Sequence, residues 1–302
     1  MADLRIVTLV APGGALEARF AAGAGMVGCS LRHRGEQLLG LRAGIEAYLA
    51  QGKTFGIPLL HPWANRLGDW RYEVAGRAVS IDRASPVVRA DEHGLPIHGA
   101  LPAGADWRVV QATREALWAE LDWAADRARM AIFPFAHRLE LRAVVEGGAL
   151  TIATTVVATG DALVPLSFGF HPYLAPPGAP RERWEVELPA LAHLALDERG
   201  LPTGAREARP AERAVLGDRA LDDAFALEAL PARFAVSDGT RRIAVEFEQG
   251  FPYAQVFAPP AQALICFEPM TAPVDALRTH HGLRCVAPGE RSTATFAIAV
   301  AG

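Results

Sequence analysis

Five short segments of this chain place ionisable side chains among apolar or Pro/Gly-rich neighbours. Asn65-Arg66 follow Ile57-Pro58-Leu59-Leu60-His61-Pro62-Trp63-Ala64, and His98 lies in Leu95-Pro96-Ile97-His98-Gly99. His171 lies in Ser167-Phe168-Gly169-Phe170-His171-Pro172-Tyr173, and Asp222-Asp223 precede Ala224-Phe225. Glu268 ends the apolar run Ile265-Cys266-Phe267 and is followed by Pro269-Met270-Thr271-Ala272-Pro273. Glutamate and histidine, with ordinary pKa values of about 4.3 and 6.5, are the side chains suited to accept and donate protons near neutral pH. Arginine offers a rigid fork of donors and aspartate a pair of acceptors. Taken singly, each has a structural explanation: Arg66 an ion pair, each histidine a packed turn, Glu268 a strand end, Asp222 or Asp223 a turn cap. Only the combination points to acid–base chemistry.

Other chemistries lack their spacing. The nine histidines include no HExxH, no HxH and no zinc-finger pairing with cysteine. His280 and His281 are adjacent, so on a strand they would point to opposite faces. There is no GxSxG turn and no glycine-rich nucleotide loop, so a serine nucleophile and a bound nucleotide are unsupported. No metal is expected. A formal net charge of −4 argues against general nucleic-acid binding, which needs a basic surface. Cys29, Cys266 and Cys285 form no complete disulfide set, and Cys266 reads as a small core hydrophobe. No apolar stretch approaches membrane-spanning length, and the N-terminal residues lack the basic and long apolar regions of a signal peptide. No membrane partner is expected, and the location expected is cytoplasmic.

The elements that must position these residues read as strands. Arg138-Leu139-Glu140-Leu141-Arg142 alternates, as do Arg183-Trp184-Glu185-Val186-Glu187-Leu188 and the residues around Ile243, Val245 and Phe247; alternation puts one set of side chains on a core face. Glu146-Gly147-Gly148 predicts a hairpin joining 137–145 to 149–157, and Ser237-Asp238-Gly239-Thr240 one joining 233–236 to 242–247. Ala75-Gly76-Arg77 sits in the same way between 72–74 and 78–81. Helical periodicity is confined to 45–50 and 272–278, a turn or two each. Segments 176–183 and 197–219 read as long surface loops. With 51% hydrophobic residues, the predicted fold is a single all-β domain over 1–302, a large antiparallel β-sandwich or barrel.

Five such segments in this order resemble the aldose 1-epimerase (galactose mutarotase) family: its Asn-Arg pair, His-Gly, His-Pro-Tyr, Asp-x-x-Phe and late Glu-Pro. The resemblance runs from about Gly56 to the C-terminal strand. His61-Pro62-Trp63 and Met270-Thr271-Ala272-Pro273 look closer to a less characterised bacterial branch. It implies a β-sandwich of the galactose mutarotase type (a supersandwich) with a sugar bound on one sheet. Position by position, it implies Glu268 as general base, His171 as general acid and His98 as a second histidine near the ring oxygen. Arg66, Asn65 and Asp222 would hold sugar hydroxyls, Asp222 being preferred to Asp223 because it stands three residues before Phe225. Trp63, Phe168, Phe170 and Tyr173 flank the motifs and could stack on a sugar; for Phe168 and Phe170 core packing is favoured. The implied activity is interconversion of the α and β anomers of a free aldohexose, with no cofactor, by a monomer or homodimer. Rival readings are a glycosidase using Glu268 and Asp222, a non-catalytic sugar-binding protein, and a mutarotase of phosphorylated sugars using Arg181, Arg183 and Arg206.

Overall fold

Alternating burial in the hairpin His137–Glu146 and Ala149–Ala158 gives the first half of the architecture. The two strands pair residue for residue from His137↔Ala158 to Glu146↔Ala149, with Leu139, Leu141, Ala143 and Val145 pointing to one side, buried. In the computed structural model, which describes residues 3–101 and 104–302, this hairpin sits inside a nine-stranded antiparallel sheet. Its order is Arg108–Ala112, Ala116–Asp122, His137–Glu146, Ala149–Ala158, Arg291–Ala301, Arg242–Gln249, Ala232–Ser237, Glu185–Leu188, Glu212–Val215.

A second large antiparallel sheet lies against it. Its order is Pro202–Arg209, Leu191–Leu196, Leu221–Leu227, Tyr253–Ala258, Ile265–Met270, Gly169–Phe170, Leu59–Leu60, with Tyr173–Leu174 also pairing to Ile265–Met270. Aromatic rings bridge the two layers: Phe234 meets Phe267 at 5.5 Å and Phe170 meets Phe296 at 4.9 Å. A four-stranded N-terminal sheet, Ile6–Val10, Leu16–Ala21, Val27–His33, Glu36–Gln37, adds Leu9, Leu16 and Phe20 to the same core, which runs to Val300. This is the expected all-β sandwich.

The expected hairpins form with small changes at their ends: Ala232–Ser237 with Arg242–Gln249, and Arg71–Val74 with Arg77–Ser80. The segment read as a loop over 197–219 instead contains two strands, Pro202–Arg209 and Glu212–Val215. Every residue of Pro202–Arg209 is exposed, so the strand is held by its ladder to Leu191–Leu196, and no apolar alternation marks it. The expected helix at 45–50 is Gly44–Gln51; that at 272–278 shrinks to Ala276–Thr279. A helix over Arg127–Ile132, capped by the Asp126 side chain, was not legible. No helix among the described residues is long and apolar enough to cross a membrane.

Candidate active site

All six residues of Ile265–Met270 are buried, so both faces of this strand are covered. Phe267 points into the inter-sheet core, and alternation sends Glu268 to the other face. Gln255 is directly opposite Glu268 and Ala224 opposite Gln255. Asp222, two residues from Ala224, shares that face and accepts a 2.7 Å hydrogen bond from Gln255 Nε2. Asp223 points the other way, 3.2 Å from His193 Nε2. The two adjacent aspartates thus turn to different partners, although both line the rim of one cleft.

His171 reaches Glu268 through strand register. Gly169 pairs with Met270 and Tyr173 with Cys266, which puts His171 opposite Glu268. Glycine at 169 permits this approach, since a Cβ there would lie 2.6 Å from the Pro269 carbonyl oxygen. His171 Nε2 is 3.2 Å from Glu268 Oε1 and 3.2 Å from the Tyr173 hydroxyl. That hydroxyl also meets Thr54 Oγ1 at 2.6 Å and receives a 3.0 Å bond from Arg42. The Tyr173 ring stacks on the imidazole, 4.2 Å between centroids and 10° between planes.

His98 arrives from a strained corner. It has φ +63° and its neighbour Gly99 φ +70°, and a side chain at 99 would collide with the His61 carbonyl. The His98 amide donates to the carbonyl of Asn65 at 2.8 Å, itself at φ +56°. The imidazole meets that of His171 edge-on at 5.6 Å. Arg66 is fixed by Asp91 at 2.6 Å and Glu92 at 3.2 Å. Arg66 and Asp222 lie on the walls of a cleft of about 330 Å³, roofed by residues 197–200. A Cβ at Gly200 would lie 2.7 Å from the Arg66 guanidinium.

Beneath these residues, His61 anchors the segment carrying Asn65 and Arg66 to the nine-stranded sheet. His61 Nε2 lies 2.9 Å from His137 Nε2, and His137 Nδ1 lies 2.6 Å from the Phe135 carbonyl. The carbonyl requires a proton on His137 Nδ1, so His61 Nε2 donates to His137 Nε2 and His61 Nδ1 is a bare acceptor. Burial holds His61 well below the usual histidine range and His137 at about 4.

Electrostatics at the site follow from burial. Glu268 is pushed well above the carboxylate range by burial and then by the Asp222 charge. His171 is pulled down to about 3 by burial and by the Arg42 charge, and His98 well below 6.5 by burial and its positive neighbours. The touching pair therefore favours zero net charge, with one proton shared between His171 Nε2 and Glu268 Oε1. Burial would raise Asp91, but its bonds from Arg66 and the Leu95 and His93 amides hold it low. Glu268 Oε2, His171 Nδ1, His98 Nδ1 and Gln255 Oε1 are buried without hydrogen-bond partners among the described residues. Such atoms are rare in folded proteins; these four lie on neighbouring side chains, and eight others are scattered elsewhere in the fold. No group of three or more metal-ligating side chains occurs among the described residues.

The structure brings Glu268, His171, His98 and Asp222 to one face and puts Arg66 beside them. Two residues stand differently from their sequence reading. Trp63 is fully buried in the main core, so its indole presents no face to a sugar. The Tyr173 ring, 1% exposed and stacked on His171, cannot stack on a sugar either; its hydroxyl holds the imidazole. Asn65 is buried and touches Arg66 only through a 3.4 Å bond. Phe168 and Phe170 are core residues, as favoured. Arg181, offered for a basic patch, is buried and donates to the carbonyls of Gly217, Arg219 and Ala258. Gln255, Thr54, Arg42 and Asp91 escaped the sequence reading. Gln255 had a signal, as the one amide in Tyr253-Ala254-Gln255-Val256-Phe257; the others had none.

Comparisons with known proteins bear on the family and the fold. The family model described as aldose 1-epimerase matches residues 6–299. No curated protein matches the sequence at a significant level. Among solved structures, a galactose mutarotase-like protein from Clostridium acetobutylicum is 18% identical, with 99% of each chain covered and a TM-score of 0.82. A galactose mutarotase related enzyme from Lactobacillus acidophilus is 16% identical over 98% of this chain and 97% of that one, TM-score 0.79. A protein of Synechocystis sp. PCC 6803 is 23% identical over 98% and 95%, TM-score 0.77. At these identities the likeness speaks for the fold.

Proposed function

Because the chain belongs to the aldose 1-epimerase family, we propose that it interconverts the α and β anomers of a free aldohexose by acid–base ring opening. The observation that carries this reading is the buried contact of His171 Nε2 with Glu268 Oε1 at 3.2 Å, ringed by unpartnered polar atoms. Ring opening removes a proton from the anomeric hydroxyl O1 and delivers one to the ring oxygen O5. With the shared proton on His171 Nε2, Glu268 is an unprotonated base and His171 a charged acid. Glu268 takes the O1 proton as the C1–O5 bond breaks, and O5 takes the proton of His171. The product is an open-chain aldehyde beside a protonated glutamate and a neutral imidazole.

That second protonation state has the same total charge as the first, and it is the one burial favours. Rotation about C1–C2 turns the other carbonyl face to O5. Closure then returns the O5 proton to His171 and the Glu268 proton to O1. No proton is consumed and no metal or cofactor is needed. Arg66, held rigid by Asp91, and Asp222, held by Gln255, would grip hydroxyls remote from C1 while C1 itself turns. His98, edge-on to His171, would meet the ring oxygen side. Positioned acid–base groups contribute about 10²–10⁴-fold in rate, enough for a reaction that already proceeds unaided in water.

Polarimetry of freshly dissolved α-glucose and α-galactose tests this. The expected result is an approach to equilibrium that quickens in proportion to protein concentration. Sugar binding without any quickening would replace the reading with that of a sugar-binding protein.

A further inference from the structure

Strand register draws one straight row across the site face of the second sheet. His171 stands opposite Glu268, Glu268 opposite Gln255, Gln255 opposite Ala224, and Ala224 opposite Leu194. Directly opposed residues of antiparallel strands share a face, so the acid–base pair holds one end of the row and two apolar side chains the other. With strands about 4.8 Å apart, Ala224 stands about 10 Å from Glu268. At that far end lies a groove of about 430 Å³ whose lining includes Leu194, Leu196, Ala224, Ala226, Tyr253 and Val274. Ala195 and Leu196 line both this groove and the cleft that holds Arg66 and Asp222, so the two adjoin. Between the ends of the row, Gln255 is buried; its Nε2 donates to Asp222 and its Oε1 has no partner among the described residues.

A sugar that presents O5 to His171 and O1 to Glu268 lays its C2 further along the same row, because C2 is bonded to C1 on the side away from O5. C2 then stands over Gln255, and whatever C2 carries leads toward Ala224. A buried Gln255 Oε1 needs a donor. A hydroxyl or an amide N–H on C2 supplies one, and only the amide carries a further group onward. The groove sets the nature of that group. Most of its lining is apolar, and no carboxylate or carboxamide among the described residues lines it. It therefore lacks the paired acceptors that suit the vicinal hydroxyls of a second sugar ring, and an apolar group fills it better. We propose that the groove is a subsite for the acyl group of a 2-acylamino hexose, with the amide N–H donating to Gln255 Oε1 and the acyl chain lying on Ala224, Ala226 and Leu194. This rests on the epimerase reading and on His171 acting at O5. Such an arm pins C2, one end of the bond about which the aldehyde must turn, and leaves C1 free.

The test is anomer exchange by NMR, corrected for the uncatalysed rate, for three sugars of one configuration: the plain hexose, its 2-acetamido and its 2-butanamido derivative, in the gluco and galacto series. A buried methylene is worth about fourfold, so the butanamido sugar, two methylenes longer, should exceed the acetamido sugar roughly tenfold in kcat/KM. Both should exceed the plain hexose. Ala226→Leu, which fills the groove, should cost the butanamido sugar about ten times more than the plain hexose, and Leu194→Gln serves if the first variant fails to fold. Acylamino sugars no better than the plain hexose, no rise from acetamido to butanamido, or equal losses in the variant would overturn the proposal and leave the epimerase reading intact. If no sugar is accelerated, the epimerase reading falls, and calorimetric titration decides the groove. Tighter binding of the butanamido sugar than of the plain hexose, lost in Ala226→Leu, sustains it; equal or weaker binding, or an advantage that survives in Ala226→Leu, overturns it.

Discussion

Acid should destabilise this protein through His61 and His137, and the size of the effect can be worked out. Both imidazoles are buried, 6% and 0% exposed, and both are held neutral: His137 at about 4 and His61 well below 6.5. In the unfolded chain each titrates near 6.5. Between 6.5 and the folded value the unfolded state therefore binds more protons, so stability is fully present above pH 6.5 and is lost as pH falls below it. From pH 7 to pH 5 each histidine should cost about 2 kcal/mol, and the pair about 4 kcal/mol, at about 1.36 kcal/mol per pH unit per site. That is a large share of a total stability of about 5–15 kcal/mol. The perturbation is the double substitution His61→Leu/His137→Leu, which removes both partners and leaves neither alone. Urea denaturation followed by tryptophan fluorescence gives the unfolding free energy at pH 7 and pH 5. Wild type should lose about 4 kcal/mol more than the double variant over that interval. Equal losses in the two proteins would show that the pair is not held neutral by burial. Because His61 fixes the segment with Asn65 and Arg66, activity should fail along with stability.

Gln255→Leu keeps the side chain's size but removes the donor to Asp222; losing a hydrogen bond to a charged group, about 1.5–3 kcal/mol, should lower kcat/KM for anomer exchange roughly 10–100-fold. A change under twofold would remove Gln255 and Asp222 from the site. Gly99→Ala forces a side chain to φ +70° and into the His61 carbonyl, so thermal denaturation should show a loss of more than about 2 kcal/mol; an unchanged melting temperature would contradict the crowding described. In the pH profile of kcat/KM, the acid limb reports a second proton on the His171–Glu268 pair. Since burial pulls His171 down to about 3, that limb should lie well below the ordinary histidine value of about 6.5, and a limb at 6.5 would mean an exposed, uncoupled imidazole.

The hairpins were legible because alternation and glycine turns are local: Leu139, Leu141 and Val145 declare their face without reference to the partner strand. Pro202–Arg209 was not, because a strand exposed along its whole length carries no burial pattern. At the site, Glu268 and His171 stood out as charge within apolar runs, and only register, through Gly169↔Met270 and Tyr173↔Cys266, sets them opposite each other. Trp63 and Tyr173 were misread because sequence shows that an aromatic residue neighbours a motif but not which way its ring faces. Thr54 and Arg42 were invisible for a related reason: their link to Tyr173 spans more than a hundred residues, and no local pattern encodes such a contact.

The central claim is that Glu268 and His171 together open and close a hexose ring. Its most direct test is anomer-exchange NMR on glucose and galactose at equilibrium, with wild type and Glu268→Gln. The glutamine keeps the shape of the side chain and its contact with His171 but cannot accept the O1 proton. Exchange well above the uncatalysed rate in wild type, falling at least about 100-fold in the variant, is the predicted result. Equal exchange in both proteins would contradict the account.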